Sequence, residues 1–345
     1  MKGNSTQQEV EGGVWSPMRF GIIGSGSWAT ALAKILIDSG NEVHWYFRFK
    51  ETVRKFQAGA HNPSYLTSVT FDLDKIHFYT DVREVVEACD TILLVTPSPY
   101  IKGTFDKLQG HELAGKFILN AVKGIIPEEY LLISDYLTKE FGVPSDMIGV
   151  ISGPTHAEEV AMDRMSYLTI ACSDMGNAEK IEEKLVCDYV RTLVSSDVNG
   201  IEYCSVLKNI YAIATGICQG LRMGDNFQAV LIANAAAEMD RFTKALSTTR
   251  KPITDSVYLG DLLVTAYSRY SRNRTFGTLL GKGRTVKQAQ LEMDMIAEGY
   301  YGAKCIHEVN KKYKVFMPIA ETVYQILYHR LDCPRAVDRL KGLIH

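Results

Sequence analysis

The chain has 345 residues, of which 46% are hydrophobic and 23% charged, and its formal net charge is -2. That length predicts two or three domains of an ordinary globular protein. The charge balance argues against a nucleic-acid surface, and no apolar run reaches the roughly 20 residues of a membrane-spanning helix. The seven cysteines are scattered without metal-ligand spacing, which predicts reduced thiols, no metal site and a cytoplasmic location.

The first predicted unit is a strand, a helix and a second strand within residues 18–48. Its turn reads Gly24-Ser25-Gly26-Ser27-Trp28-Ala29, the Gly-x-Gly-x-x-Ala form of the dinucleotide fingerprint. In that fingerprint Gly24 makes the tight turn, and Gly26 lets a pyrophosphate approach the backbone. The free amides at the start of the helix then bind the anion. The unit therefore predicts a dinucleotide cofactor, and the alternative is a tight strand-to-helix turn that binds no ligand.

The second strand of this unit ends at Arg48, followed by Phe49. Strict NAD enzymes place an acidic residue at this point to hold the adenosine ribose. Arg48 can instead accept a ribose 2′-phosphate, so NADPH and NADH both stay open as cofactors. The alternative for Arg48 is an ordinary solvated charge at the end of a strand.

Strand and helix patterns continue to alternate as far as residue 194. The alternation predicts a Rossmann-type doubly wound sheet, whose ligands bind beyond the carboxyl ends of the strands. Lys123 follows one buried strand and is predicted to contact cofactor or substrate, while Gly153 and Thr155 follow the next one. Capping a helix is an equal alternative for Thr155. Further strands are predicted at 76–80, 91–96, 117–122, 147–151, 168–171 and 189–194, and helices at 82–88, 128–140 and 178–186.

Helical periodicity replaces the strand pattern from residue 198, which predicts an all-α second domain. Lys208 lies beside small and polar side chains on one stripe of a long apolar helix. Small neighbours leave room for a ligand, although close helix packing explains them equally well. The predicted organisation is an N-terminal extension at 1–17, a dinucleotide-binding domain at 18–197 and a helical substrate and catalytic domain at 198–345.

An arginine-rich segment, Ser271-Arg272-Asn273-Arg274, follows in the helical half. Guanidinium groups bind phosphate in forked geometry, so Arg269, Arg272 and Arg274 are candidate phosphate ligands, with Arg272 leading. Surface charge is the alternative for any one of them. Together with Lys208 and Asp261, the segment suits a small phosphorylated substrate that needs both proton transfer and charge neutralisation.

Eight blocks of the chain, taken in order, resemble the NAD(P)-dependent glycerol-3-phosphate dehydrogenases of bacterial type. The resemblance implies reversible reduction of dihydroxyacetone phosphate to sn-glycerol 3-phosphate with NADPH or NADH, feeding glycerophospholipid synthesis. We expect a homodimer with no nucleic-acid or membrane-spanning role. The blocks are 24–33, 121–125, 152–160, 207–209, 224–226, 260–262, 271–274 with 276–277, and 298–299.

The resemblance also implies roles for individual residues, with Lys208 as the catalytic proton donor and acceptor. The chain departs from the family at Tyr258 and Leu259, where small residues are usual, and at Tyr267, where Cys is frequent. Those implied to bind substrate are Lys123, Gly153, Thr155, Lys208, Asn209, Asp261, Ser271, Arg272 and Asn273. Those implied or predicted to bind cofactor are Gly24, Gly26, Ser27, Trp28, Arg48, Phe49, Lys123, Ala157, Arg272, Ile296 and Glu298.

Two rival functions differ from this one in chemistry. A related two-domain dehydrogenase acting on a hydroxy acid needs a carboxylate clamp rather than a phosphate clamp. A nucleotide-sensing protein that has lost catalysis is expected to lack Lys208 or Asp261, and both are present.

Overall fold

The computed structural model describes residues 18–246, 251–293 and 297–345. Within these ranges the chain folds as a sheet with flanking helices, followed by a helical unit. Ile296, expected at the cofactor, and the extension at 1–17 lie outside the described residues. No helix within these ranges is long and apolar enough to cross a membrane.

The described part of the chain forms one eight-stranded sheet, in the order β3-β2-β1-β4-β5-β6-β7-β8. The first six strands are parallel, while β7 runs antiparallel to β6 and parallel to β8. The central strands are buried throughout, as expected where helices cover both faces. The strands are β1 (Phe20–Ile23), β2 (Val43–Tyr46), β3 (Ile76–Tyr79), β4 (Thr91–Leu94), β5 (Phe117–Asn120), β6 (Ile148–Ser152), β7 (Ser166–Cys172) and β8 (Val190–Ser195).

Helices connect these strands, and the doubly wound prediction is confirmed. One predicted helix, 128–140, is shorter in the structure and begins at Ile133. The preceding residues form a tight turn in which Ile126 pairs with Leu131, and Tyr130 takes a positive φ of 56° that no helix allows. The helices are α1 (Ser27–Asp38), α2 (Lys50–Gly59), α3 (Val82–Ala88), α4 (Ile101–Phe105), α5 (Ile133–Phe141), α6 (Ala157–Val160) and α7 (Met175–Glu183).

The second half is helical over its described residues, also as predicted. Its central element is α8 (Val198–Gly220), which is buried along nearly its whole length because neighbouring helices surround it. A π-helical turn at Ser256–Gly260 leads directly into α10. The others are α9 (Asp225–Leu246), α10 (Asp261–Tyr267), α11 (Arg272–Gly281), α12 (Val286–Leu291), α13 (Glu298–Tyr313), α14 (Pro318–His329) and α15 (Cys333–Lys341).

Helices α8 and α11 cross with their backbones in contact, because glycines remove the side chains at the crossing. A Cβ atom on Gly216 would lie 2.1 Å from the carbonyl oxygen of Arg274, and one on Gly277 would lie 2.1 Å from that of Ile213. The crossing brings the start of α11 close to the middle of α8. Its four glycines are Gly216 and Gly220 on α8 and Gly277 and Gly281 on α11.

The main apolar core joins the two halves. It contains most of the buried side chains of α8 together with Ile125, Val150 and Ala171 from the sheet half. Helix α8 therefore packs against the sheet as well as against the other helices, and this fixes its polar side chains relative to the strand ends.

Candidate active site

A cavity of about 660 Å³ lies between the carboxyl ends of the sheet strands and helices α8, α10 and α11. It stands where a doubly wound sheet binds its ligands. Gly153 and Asp261 lie close to the cavity but are not among the residues that line it. The expected site residues that line it are Gly24, Gly26, Ser27, Trp28, Arg48, Phe49, Lys123, Thr155, Ala157, Lys208, Asn209, Ser271, Arg272, Asn273 and Glu298.

The turn after β1 has the shape that a dinucleotide needs. Gly24 has a φ of 134°, and a Cβ atom there would lie 2.8 Å from the backbone carbon of Val95. Gly26 faces open space, with no described atom within 4 Å of its ideal Cβ position. Helix α1 begins at Ser27 without a side-chain cap, so its first amides are free for an anion.

The first turn of α1 contains a buried hydrogen-bond donor that has no partner among the described residues. The Nε1 atom of Trp28 is shielded from solvent and has no hydrogen-bond partner among the described residues. A buried donor without an acceptor costs free energy, and a bound polar ligand would remove that cost. Together with the open space at Gly26, this atom indicates that the part of the cavity formed by the turn after β1 fits a dinucleotide.

The far end of the cavity is formed by the residues that follow β2. Arg48 and Phe49 are both exposed, and the Arg48 guanidinium lies 5.3 Å from the centre of the Phe49 ring. The pair presents a cation and an aromatic face where the adenosine end of a dinucleotide would reach.

Lys208 and Asp261 form a buried ion pair at the opposite end of the cavity. Each residue is 2% exposed, and the Lys208 Nζ donates a hydrogen bond to Oδ2 of Asp261. Burial lowers the pKa of Lys208 to about 7, with the Lys123 ammonium adding to the decrease and the Asp261 carboxylate opposing it. A lysine in this range can give or take a proton near neutral pH.

Asp261 also accepts a hydrogen bond from a hydroxyl group of the sheet half of the molecule. Its Oδ2 also accepts a hydrogen bond from Ser152 at 3.3 Å, and Ser152 in turn lies 2.8 Å from the Ser205 hydroxyl on α8. The other oxygen, Oδ1, is buried without a partner among the described residues. That oxygen therefore retains an unused capacity to accept a hydrogen bond.

Lys123 follows β5 on the sheet side of the cavity, near the Lys208–Asp261 pair. Its Nζ is 5.2 Å from the centre of the Trp28 ring, and its carbonyl oxygen accepts a hydrogen bond from Asn209 at 3.1 Å. Because Asn209 follows Lys208 on α8, this bond ties the two lysine-bearing segments together.

The start of α11 supplies the cation nearest to the dinucleotide turn. The Arg272 guanidinium donates to the Ser27 hydroxyl at 2.5 Å, so one side chain bridges the two halves of the molecule. The Ser271 hydroxyl accepts from the Arg274 amide and caps the helix. Arg269 and Arg274 instead bond Tyr270 and the carbonyl of Tyr267. Of the three candidate arginines, Arg272 alone is among the residues that line the cavity.

Asn273 and Glu298 organise the edge of the cavity. The Asn273 side-chain oxygen accepts from the Gly299 amide at 2.9 Å, which fixes the start of α13. Glu298 there accepts from the Ser98 amide at 3.3 Å, across the two halves. Burial raises the pKa of the Glu298 carboxyl group.

Many of the cavity residues had no role predicted from the sequence, among them His156, Thr265 and Tyr270. His156 follows Thr155, and Tyr270 precedes Ser271, so each adjoins a residue that the motifs did flag. The rings of His156 and Tyr270 meet edge to face at 6.2 Å. Burial, with the neighbouring Lys123 and Lys208, lowers the pKa of His156 to about 4.

Two other predicted residues have mainly backbone functions in the structure. The Thr155 hydroxyl donates to the carbonyl of Tyr167 at 2.9 Å rather than capping α6. Gly153 has a φ of 145°, and a Cβ atom there would lie 2.4 Å from the same carbonyl oxygen. Among the described residues, no group of three or more His, Cys, Asp or Glu side chains could hold a metal ion.

A dinucleotide turn, a lysine of lowered pKa and an arginine that reaches across one cleft define the class of two-domain NAD(P)-dependent dehydrogenases. Comparison with known proteins narrows the class. The family model described as NAD-dependent glycerol-3-phosphate dehydrogenase N-terminus matches residues 19–178, and that described as its C-terminus matches 197–338.

Individual proteins agree with these matches. The chain is 33% identical over 320 residues to glycerol-3-phosphate dehydrogenase [NAD(P)+] 1 of Salinibacter ruber, covering 92% of this chain and 94% of the relative. It is 34% identical over 308 residues to the enzyme of an Exiguobacterium species, with 89% and 90% covered. A crystal structure of glycerol-3-phosphate dehydrogenase from Coxiella burnetii superposes with a TM-score of 0.87 at 32% identity, covering 94% and 98%.

The chain belongs to the NAD(P)-dependent glycerol-3-phosphate dehydrogenase family. It is an oxidoreductase that acts on a CH–OH group, its cofactor is NADH or NADPH, and its substrate is a small phosphorylated molecule. The resemblance inferred from the sequence is confirmed, and both rival functions are set aside.

Proposed function

We propose that the cleft reduces dihydroxyacetone phosphate to sn-glycerol 3-phosphate reversibly, with Lys208 supplying the proton and Arg272 binding the phosphate. The observation that carries this proposal is the buried Lys208–Asp261 pair at one end of a cavity whose other end fits a dinucleotide. The reaction and its part in lipid synthesis fit the family. When bound, the nicotinamide supplies or accepts the hydride.

Lys208 serves the reaction through its charge and its proton. Reduction of a ketone develops negative charge on the carbonyl oxygen, and a donor fixed beside that oxygen stabilises it. With its pKa lowered to about 7 by burial, Lys208 donates the proton in reduction and accepts it in oxidation. Asp261 keeps the ammonium in place, and its Oδ1, which has no partner among the described residues, is proposed to accept from the substrate hydroxyl.

Arg272 and Lys123 supply the positive charge that a phosphate ester requires. Both line the cavity, and neither side chain is fully buried, so a ligand can reach both. The Arg272 guanidinium already lies at the Ser27 hydroxyl, next to the dinucleotide turn. We infer that it contacts the substrate phosphate and also borders the cofactor.

Arg48 is the proposed ligand of a ribose 2′-phosphate. It is exposed at the adenosine end of the cavity, and the end of β2 carries no acidic residue to hold a free ribose 2′-hydroxyl. We therefore propose that the enzyme uses NADPH better than NADH. A homodimer in the cytoplasm, with residues 18–197 and 198–345 as its two domains, stays a prediction from the sequence.

A direct assay tests the proposed function. Oxidation of NADPH and of NADH is followed by absorbance with dihydroxyacetone phosphate, with unphosphorylated dihydroxyacetone and with a 2-keto acid. We expect turnover with the phosphorylated ketone, faster at low NADPH than at low NADH, and little with the other two. Equal turnover with and without the phosphate would contradict the phosphate role of the arginine.

A further inference from the structure

Tyr258 has a specific hydrogen-bond partner in the structure. It lies in the π-helical turn at Ser256–Gly260, directly before Asp261, and is 2% exposed. Its hydroxyl donates to Oδ2 of Asp197 at 2.6 Å. The Tyr258 side chain therefore does more than fill space in the core, because its hydroxyl makes a short hydrogen bond to a buried carboxylate.

Asp197 is the residue that begins α8. It is fully buried, and its Oδ1 accepts from the Gly200 amide at 3.1 Å, which caps the helix. A Cβ atom on Gly200 would lie 2.1 Å from Oδ2 of Asp197, so the carboxylate fits only against a glycine. The carboxylate that bonds Tyr258 therefore also fixes the start of the helix that carries Lys208.

Two separate series of hydrogen bonds therefore link α8, which carries Lys208, to Asp261 or to the turn before it. One is the hydroxyl bridge from Ser205 through Ser152 to Asp261. The other runs from the start of α8 through Asp197 and Tyr258 to the turn that ends at Asp261. A π-helical turn is a rare conformation that packing must hold in place, and such turns are frequent at functional sites.

We propose that Tyr258 is a positioning residue: its bond to Asp197 holds the π-helical turn against the start of α8 and so sets Asp261 against Lys208. The inference rests on the proposed proton role of Lys208. It assigns Tyr258 no contact with substrate or cofactor. The charged and titratable groups that face Lys208 are Asp261, Lys123, His156 and Glu298, and Tyr258 acts on this set through Asp261.

The test is Tyr258→Phe, which removes the hydroxyl and keeps the ring. We expect kcat for ketone reduction to fall about tenfold while KM for dihydroxyacetone phosphate stays within about twofold, because misplacement harms chemistry more than binding. Asp261 raises the pKa of Lys208, so a looser pair also moves the inflection of the kcat profile to lower pH.

Tyr211→Phe is the matched control. Tyr211 lies on α8, the helix that carries Lys208, is as buried as Tyr258 and donates to another buried carboxylate, that of Glu238, at 3.2 Å. Both variants are expected to lower the melting temperature. Only Tyr258→Phe should change kcat and the pH inflection, and a Tyr258→Phe enzyme with wild-type values of both overturns the inference. Asp197→Asn, which weakens the same bond from its other end, is expected to repeat the kinetic effect.

A double-mutant cycle separates this inference from the proposed function. In a Lys208→Ala background Tyr258→Phe should cause no further loss, because the pair that it positions is already gone. An additional tenfold loss in that background contradicts the positioning role. A Lys208→Ala enzyme with near wild-type turnover contradicts the proposed function instead.

Discussion

The two walls of the cleft are built by different means. The sheet wall offers mainly backbone, namely a glycine turn, free helix amides and strand ends that any sheet of this kind provides, with Lys123 and Arg48 as its charged side chains. The helical wall offers side chains, among them a buried lysine, a buried carboxylate and an arginine. The sheet wall therefore suits a cofactor common to many enzymes, whereas the helical wall carries Lys208 and Arg272, the residues proposed to transfer the proton and bind the substrate phosphate.

The largest expected effect is on the helical wall. Lys208→Ala should lower kcat by about 10³-fold, because it removes the proton donor together with its charge. Binding of NADPH, measured by fluorescence titration, should change little. Lys304→Ala, which removes an exposed lysine of α13, is the control and should leave kcat unchanged.

Loss of the bridging arginine ranks second. Arg272→Ala should lower kcat/KM for dihydroxyacetone phosphate by roughly 10²-fold, since a charge-assisted bond to phosphate is lost. Arg269→Ala removes a neighbouring exposed arginine that bonds Tyr270, and it should have little effect. Equal losses in the two variants would show that general positive charge matters rather than the position of Arg272.

The pH dependence should be opposite for the two directions of the reaction. Reduction needs protonated Lys208 and should slow by about tenfold per unit as pH rises above the pKa near 7, whereas oxidation needs the neutral amine and should rise by about tenfold per unit below that pKa and level off above it. Initial rates in both directions check this. His156→Asn should keep the inflection, because the pKa of His156 is lowered to about 4. Slopes of the same sign in both directions would remove Lys208 from the proton step.

The smallest expected effect is on the sheet wall. Arg48→Ala should raise KM for NADPH about tenfold and leave KM for NADH nearly unchanged, because only the 2′-phosphate loses a partner. The kcat with either cofactor should stay as it is. A comparable rise with NADH would mean that Arg48 binds a part that the two cofactors share.

The same contrast explains how far the sequence predicts the molecule. The strand, glycine turn and helix of residues 18–48 form a local pattern. The sequence alone therefore predicts the sheet and the part of the cavity that fits a dinucleotide. The sequence did not predict that the helix expected at 128–140 begins only at Ile133, because the preceding turn depends on a backbone bridge between Ile126 and Leu131. Periodicity identified the all-helical half for a similar reason, since each helix carries its own pattern.

The helical wall depends on packing between distant segments. The sequence flagged Lys208, Asp261 and Arg272 separately, and family resemblance grouped them. Nothing local shows that Lys208 bonds Asp261, that Arg272 reaches Ser27, or that His156 and Tyr270 line the cavity. Those facts follow from the glycine crossing of α8 and α11 and from the shared core.

That crossing has a consequence for anyone who tries to make the enzyme more heat-resistant. Replacing a glycine within a helix by alanine commonly gains about 1 kcal/mol, so such positions are attractive targets. At Gly216 and Gly277 the added methyl group would overlap a carbonyl oxygen at 2.1 Å and force the two helices apart. Since Arg272 begins the displaced helix, a routine stabilising substitution there would be paid for in substrate affinity.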